Sequence, residues 1–197
     1  MAQCLNLPGE ALVLDMATGT GEVAIEICKY HPQVRVIGVD FSPKMLITGR
    51  RKGKFKRFDN RIHLSLGDGR QLPLKSGCFE AATIAFGIRN IEERDQALRE
   101  FYRVLKPGGQ LLIMEFDVPD DPLLGTIYRL YFDYLMPPLG NLVSRTNYAY
   151  SYLATSVHGF PNAKEFLQEM GRAGFTSLGV KKLTYGIAKI FRGVKSA

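Results

Sequence analysis

VLDMATGTGEVA, residues Val13 to Ala24, is an apolar run that stops at an aspartate and then turns through two glycines. From Gly19 it reads G-T-G-E-V-A, close to the nucleotide-binding pattern G-x-G-x-x-G/A. Glycines between a strand and a helix let the backbone come close to a ligand. What flanks the turn decides which ligand: a nucleotide presenting a pyrophosphate, or one with none.

Outward from this stretch, strand-like runs alternate with helical periods. Ala11–Asp15 reads as a buried strand, Glu22–Tyr30 as a helix and Val34–Asp40 as a second strand. Ser42 followed by Pro43 is an N-cap with proline at the first helical position, so a helix opens near Pro43. Arg61–Leu66 and Phe79–Phe86 are the third and fourth strands. Ile91–Leu105 has helical period and is stopped by Lys106-Pro-Gly-Gly109, and Gln110–Phe116 is the fifth strand. This alternation calls for an α/β fold, a parallel sheet with helices on both faces.

The pattern breaks over about 120–160, where six of the nine tyrosines fall together with Phe132 and Phe160. A helix from about Asn162 to Ala173 follows, ended by Gly174. Two β-rich runs, Ser177–Thr184 and Gly186–Arg192, are so closely joined that only an antiparallel pair fits. With no repeat or linker, 197 residues read as a single domain, 1–197, carrying an aromatic insertion.

Composition excludes several classes. No run of about 18 apolar residues is present, and the first residues lack the pattern of a signal peptide. Cys4, Cys28 and Cys78 are odd in number and widely spaced, which argues against a disulfide framework. With His31, His63 and His158 they offer no metal-ligand spacing, so no metal is expected and a reducing cytoplasm is the default. The formal charge of +7 gathers in Arg50-Arg-Lys-Gly-Lys-Phe-Lys-Arg57. That stretch reads as a solvated helix end, or as a patch for anionic lipid or RNA. A P-loop is ruled out by the missing Gly-Lys-Ser/Thr, and no Ser-His-Asp elbow occurs.

The turn itself favours a cationic nucleoside. A pyrophosphate wants helix-terminal N–H groups and no anion nearby, whereas Asp15 ends the strand just before the turn. Asp40 ends the second strand, placed to accept from ribose hydroxyls. Asp68, in Gly67-Asp68-Gly69-Arg70 after the third strand, is placed to accept from an adenine amino group. Three acids at three successive strand ends fit S-adenosylmethionine, which has an ammonium group, a sulfonium and no phosphate. The plainer reading of each acid is a helix N-cap.

VLDMATGTGEVA, VIGVDFSPKML, GDGRQLPLKSGCFEAATIAFGIRN and ALREFYRVLKPGGQLLIMEF together resemble the ubiquinone/menaquinone biosynthesis C-methyltransferases. FGIRNIEERDQALREFYRVLKPGG is the most family-specific part, and similarity runs on through SYLATSVHGFPNAKEFLQEMGRAGF to LTYGIAKIFRGVK. The resemblance implies a Rossmann-like class I methyltransferase sheet with an antiparallel C-terminal hairpin. It also implies C-methylation of a polyprenyl hydroquinone, with S-adenosylmethionine as donor. Cofactor contacts are then expected from Asp15, Ala17, Thr18, Gly19, Thr20, Gly21, Asp40, Phe41, Met45, Gly67, Asp68, Gly69, Ala85, Phe86 and Gly87. Two departures stand out. Ala85 occupies a place where the family often has serine, and about ten residues precede the first strand where relatives carry several tens.

A ring carbon becomes a good nucleophile when an adjacent phenol loses its proton. Arg89, in Gly87-Ile-Arg-Asn90 beyond the fourth strand, is expected to stabilise the phenolate, with a surface ion pair to Glu92 as its plainer role. His158 and Asp117 are the candidate proton acceptors. Arg89, Asn90, Tyr131, Asn147 and Tyr148 are the expected substrate contacts, within an aromatic wall that includes Tyr128, Phe132, Tyr134 and Leu135. A lipophilic quinol substrate gives the basic stretch a use at the inner face of an anionic membrane, and a homodimer is a compatible assembly. Nucleic acid is disfavoured, because the residues after strand four do not form the acid-or-asparagine, double-proline motif of base methyltransferases. Methylation of another small molecule, and a non-catalytic subunit of a quinone-synthesis assembly, remain alternatives.

Overall fold

The computed structural model describes residues 1–117 and 159–196 of the chain. Seven strands form one sheet in the order β3-β2-β1-β4-β5-β7-β6. In chain order they are β1 (Leu12–Met16), β2 (Arg35–Asp40), β3 (Ile62–Leu66), β4 (Phe79–Ala85), β5 (Leu105–Phe116), β6 (Phe175–Leu183) and β7 (Ala188–Lys195). The first five run parallel, while β7 lies antiparallel between β5 and β6. Strand order reverses between β1 and β4, and a ligand crevice in an open α/β sheet opens at such a switch, beyond the carboxyl ends of the strands.

Helices cover both faces, as the alternation predicts. On one face α1 (Glu22–Tyr30) and α2 (Pro43–Arg51) bury Ala24, Ile25, Ile27, Cys28 and Leu46 against Val13, Val36 and Leu112. On the other, α3 (Arg94–Val104) and α4 (Ala163–Arg172) bury Leu98, Phe101, Phe166 and Met170 against Leu14, Ile84, Ile113 and Phe191. Residues i and i+2 of a strand share a face, so each buried strand must be apolar on both sides. That is why Val13 and Leu14 enter different cores. The first residues seal one edge: Ala2 and Leu5 are buried, and Gln110 donates from Nε2 to the carbonyl of Asn6 at 2.6 Å.

Local chemistry sets the element ends. Ser42 caps α2, its hydroxyl accepting from the N–H of Met45 at 3.4 Å, with Pro43 first in the helix. Asn162 and Glu165 form a reciprocal capping box on α4. Two expectations are corrected. The helix expected from Ile91 starts at Arg94, because Ile88–Asn90 closes a 3-10 turn in which the Ile91 N–H bonds the Ile88 carbonyl at 3.1 Å. Lys106–Gly109 does not separate helix from strand but bulges within β5: Phe79 pairs with Leu105 while Ala81 pairs with Gln110. Gly108 takes a φ of 76°, and Lys106 is ion-paired with Glu80 on the neighbouring strand.

Beneath the switch point lies Asp15, only 1 % exposed. Its carboxylate accepts from the hydroxyls of Thr18 at 2.6 Å and Thr83 at 2.8 Å, tying the end of β1 to the turn after it and to β4 beside it. Burial raises the carboxyl to about 6 from its ordinary 3.8, against these hydrogen bonds, which lower it; the Asp40 charge adds a smaller upward push. The folded chain therefore holds the Asp15 proton more tightly than the unfolded chain does. Its contribution to stability is fully present below 3.8 and is lost as the pH rises through about 6. Relative to Asp15→Asn, which keeps an acceptor for the threonines, the unfolding free energy of the wild type should fall by about 2–3 kcal/mol between about pH 4 and about pH 7. Urea titrations at the two pH values measure this, and a pH-independent difference between the proteins contradicts it.

Candidate active site

The turn between β1 and α1 is held from below and from the side, which leaves its outer surface to a ligand. Ala17, Gly19 and Gly21 all have left-handed φ, at 51°, 57° and 83°. The Thr18 N–H reaches across to the Val39 carbonyl at 3.1 Å, and its hydroxyl drops onto Asp15. Gly38 makes room for that hydroxyl, since a Cβ there would lie 2.8 Å from Thr18 Oγ1. Gly49 does the same for helix α2, where a Cβ would meet the Thr20 carbonyl oxygen at 2.9 Å. Lys52 then reaches over the turn, its Nζ 2.6 Å from both Thr20 Oγ1 and Glu22 Oε1.

Strain collects where the two central strands end. Left-handed φ costs an L-residue roughly 1–2 kcal/mol. Ala17 after β1 accepts that cost, and so does Phe86 after β4, with φ 56°. The two loops interlock: a Cβ on Gly87 would sit 2.5 Å from the Ala17 Cβ. Other left-handed residues, Ser177, Thr184 and Tyr185, belong to the C-terminal hairpin.

The three expected acids stand at three successive strand ends, and none caps a helix. The N-cap of α1 is Gly21 and that of α2 is Ser42. Asp40 is buried and spans two loops, accepting from the Gly19 N–H at 2.7 Å through Oδ2 and from the Ser42 N–H at 2.9 Å through Oδ1. The Gly19 amide, one of those a pyrophosphate would need, is thus already taken by a carboxylate. Asp68 lies at the surface, where Arg70 grips it through Nε and Nη2 at 3.0 and 2.7 Å. Those hydrogen bonds hold its carboxyl below the usual range, so it stays an acceptor. Asp15 differs from the other two: its carboxylate is spent on Thr18 and Thr83 beneath the turn, and it acts on a ligand through its field and through the turn it shapes.

Beside Asp68 is a cleft walled by Met16, Ala17, Phe41, Gly69, Gly87 and Ile91. Phe41 is 74 % exposed at its rim and Met45 is 42 % exposed on α2 beside it. Large apolar side chains left open next to hydrogen-bond acceptors suit the flat face and polar edge of a nucleoside. Gly67 ends β3 against Val39, Gly69 faces Met16 and Ile91, and Ala85 is the half-buried last residue of β4. The residues present therefore fit S-adenosylmethionine: acids and an aromatic plane, with the Gly19 amide occupied.

Beyond β4 and β5 the edge carries buried charge. Arg89 is ion-paired with Glu115, which is 0 % exposed, and not with Glu92 as the sequence suggests. The guanidinium also lies over Phe116, 5.6 Å from the ring centroid, and Phe116 stacks on Phe86 at 4.3 Å. Burial raises the Glu115 carboxyl, while Arg89 opposes the rise. Asp117, just past β5, is ion-paired at 2.8 Å with buried Lys189 of β7. Asn90 is exposed at the same edge. Sequence reasoning missed Glu115 and Lys189. The signal available was an acid and a base each interrupting an otherwise apolar strand. Tyr131, Asn147, Tyr148 and His158, with most of the aromatic insertion, lie outside the described residues.

Comparison with known proteins agrees with this geometry. The sequence profile of the ubiE/COQ5 methyltransferase family matches residues 1–195. The chain is 44% identical over 192 residues to the ubiquinone/menaquinone biosynthesis C-methyltransferase UbiE of Syntrophotalea carbinolica, covering 98% of this chain and 80% of that one. It is 43% identical over 183 residues to the demethylmenaquinone methyltransferase of Deinococcus radiodurans, covering 93% and 75%. Among solved structures, the phosphoethanolamine N-methyltransferase 2 of Haemonchus contortus in complex with S-adenosyl-L-methionine superposes with a TM-score of 0.73. That likeness, at 17% identity over 98% of this chain and 50% of that one, concerns the fold alone. The chain belongs to the ubiE/COQ5 methyltransferase family and is an S-adenosylmethionine-dependent methyltransferase.

Proposed function

We propose that the chain methylates a ring carbon of a polyprenyl hydroquinone, in the making of menaquinone or ubiquinone precursors. The names of its relatives point to quinone biosynthesis. The observation that carries the reading of the cofactor site is Asp40, whose carboxylate takes the Gly19 amide directly before Phe41 at the rim of the cleft. Ribose hydroxyls donate to such a carboxylate; a phosphate would be repelled by it and by Asp15 below. Phe41 offers its ring to the adenine face and Asp68 its carboxylate to the amino group. Residues 1–197 form one catalytic domain in this reading, with about 120–160 covering the substrate.

Bound there, S-adenosylmethionine supplies an electrophilic methyl group on a sulfonium. The residues of this chain hold donor and acceptor in line and keep water away. Arg89 stands at the same sheet edge, and an arginine is a poor base. Its task is to stabilise the phenolate that makes the ring carbon nucleophilic, while Asn90 orients a ring oxygen. Asp117 and His158 are the proton acceptors in this scheme; Asp117 would act from within its pair with Lys189.

The basic stretch supports a membrane contact for a substrate with an isoprenoid tail. Arg50, Arg51, Lys54, Lys56 and Arg57 are exposed around buried Phe55, which lies against Gly21 of the cofactor turn. Ile47 is exposed on the adjoining helix. Attraction of such a segment to an anionic surface is roughly 1 kcal/mol per basic residue and is screened by salt. The protein should float with anionic liposomes at low salt and be released at high salt. Equal recovery with neutral liposomes contradicts the contact.

For the cofactor site, calorimetry should show saturable binding of S-adenosylmethionine and none of NAD. Asp40→Ala should weaken that binding by roughly 10- to 100-fold, from lost charge-assisted hydrogen bonds and a loosened turn. Binding of NAD in place of the sulfonium cofactor overturns the reading of Asp40.

A further inference from the structure

We propose that Glu115 is the positioning residue for Arg89: its carboxylate holds both the guanidinium and the backbone of the turn, leaving the Nε N–H for the phenolate. The inference rests on the quinol reading above and deepens it.

The position itself carries the first argument. Glu115 shares a strand face with Leu111 and Ile113, both fully buried in the same core. An apolar side chain would continue that series at no desolvation cost, so a carboxylate here calls for a reason beyond packing. Its hydrogen bonds supply one. Glu115 accepts from Arg89 Nη1, from the Arg89 backbone N–H at 3.4 Å and from the Phe116 N–H at 3.0 Å. The same acid therefore grips the side chain and the main chain of Arg89 and ties the end of β4 to the end of β5.

Arg89 is restrained from a second side by Phe116, which is braced by Phe86. One buried donor stands out. The Arg89 Nε is buried and has no hydrogen-bond partner among the described residues. An orphaned guanidinium N–H at the carboxyl edge of the sheet is a place for an anionic oxygen. The Arg89–Glu115 pair is neutral overall, and so is the neighbouring Lys189–Asp117 pair, whose Lys189 sits opposite Glu115 in the β5–β7 register. What the acid contributes is thus orientation: without it, the guanidinium loses the carboxylate that fixes both its side chain and its backbone. A donor fixed before the reaction needs no rearrangement when charge develops.

The test separates positioning from mere stability. Glu115→Gln keeps the shape and loses the charge; its kcat on demethylmenaquinol should fall roughly 10- to 100-fold, with KM and cofactor affinity within about threefold of wild type. Glu115→Asp, with a shorter reach, should fall between the two. In Arg89→Ala, added guanidinium at low concentration should restore part of the activity, because Glu115 still holds the cation. In Arg89→Ala/Glu115→Gln it should restore none. That double variant buries no unpaired charge, and circular dichroism checks that Arg89→Ala, which strands Glu115, is folded, so the comparison survives if Glu115→Gln fails to fold. Unchanged kcat in Glu115→Gln, or equal rescue in both backgrounds, overturns the proposal. Absence of wild-type turnover on any quinol, with cofactor binding intact, instead overturns the functional reading on which it rests.

Discussion

A carboxylate buried under the glycine turn organises the working end of this molecule. Asp15 joins β1 to the loop that follows it through Thr18, and to the neighbouring central strand through Thr83. Those hydroxyls oppose the cost of burying the charge, and the carboxylate in turn holds Thr18 beneath the loop. Much that makes the cleft follows from that position. Thr18 needs the space left by Gly38, Ala17 is thrown into a left-handed conformation, and its methyl group excludes a side chain at residue 87. Asp40 completes the frame from β2 by taking the Gly19 amide.

Around this frame the charges fall into two zones with different tasks. On the side of β1–β3, acids dominate: Asp40 buried, Asp68 at the surface, and Asp15 beneath. That zone suits a cation carrying hydroxyl and amino donors. On the side of β4, β5 and β7, positive and negative groups are paired inside the fold, Arg89 with Glu115 and Lys189 with Asp117. Buried pairs of this kind are weak sources of stability, and removing one partner strands the other. Their place at the sheet edge, next to two stacked phenylalanines, makes sense as fixed electrostatics around a reacting ring. In the proposed reaction this division gives a cationic methyl donor one side and an anionic acceptor ring the other.

The parts of this arrangement legible in the sequence are those written locally. The apolar runs, the Ser42-Pro43 start of α2 and the closely joined hairpin each depend on residues within a few positions of one another. Asp15, Asp40 and Asp68 were recognisable because each ends a strand. The task of Asp15 was not, because Thr83 lies 68 residues away and becomes its neighbour only when β1 pairs with β4. Arg89 shows the same limit. Glu92 is its near neighbour in sequence, but Glu115, 26 residues on, becomes its partner because β5 lies beside β4. The Lys106–Gly109 segment looks like a plain helix stop, since glycine and proline signal a turn without revealing that the strands on either side resume pairing.

In the proposed reaction a methyl group passes from sulfur to carbon at this edge of the sheet. The most direct measurement is to incubate the chain with demethylmenaquinol and methyl-labelled S-adenosylmethionine, then locate the label in the product by carbon NMR. Label should appear on a ring carbon, with one equivalent of S-adenosylhomocysteine formed. Label on a ring oxygen, or S-adenosylhomocysteine formed with no labelled quinol, would contradict it.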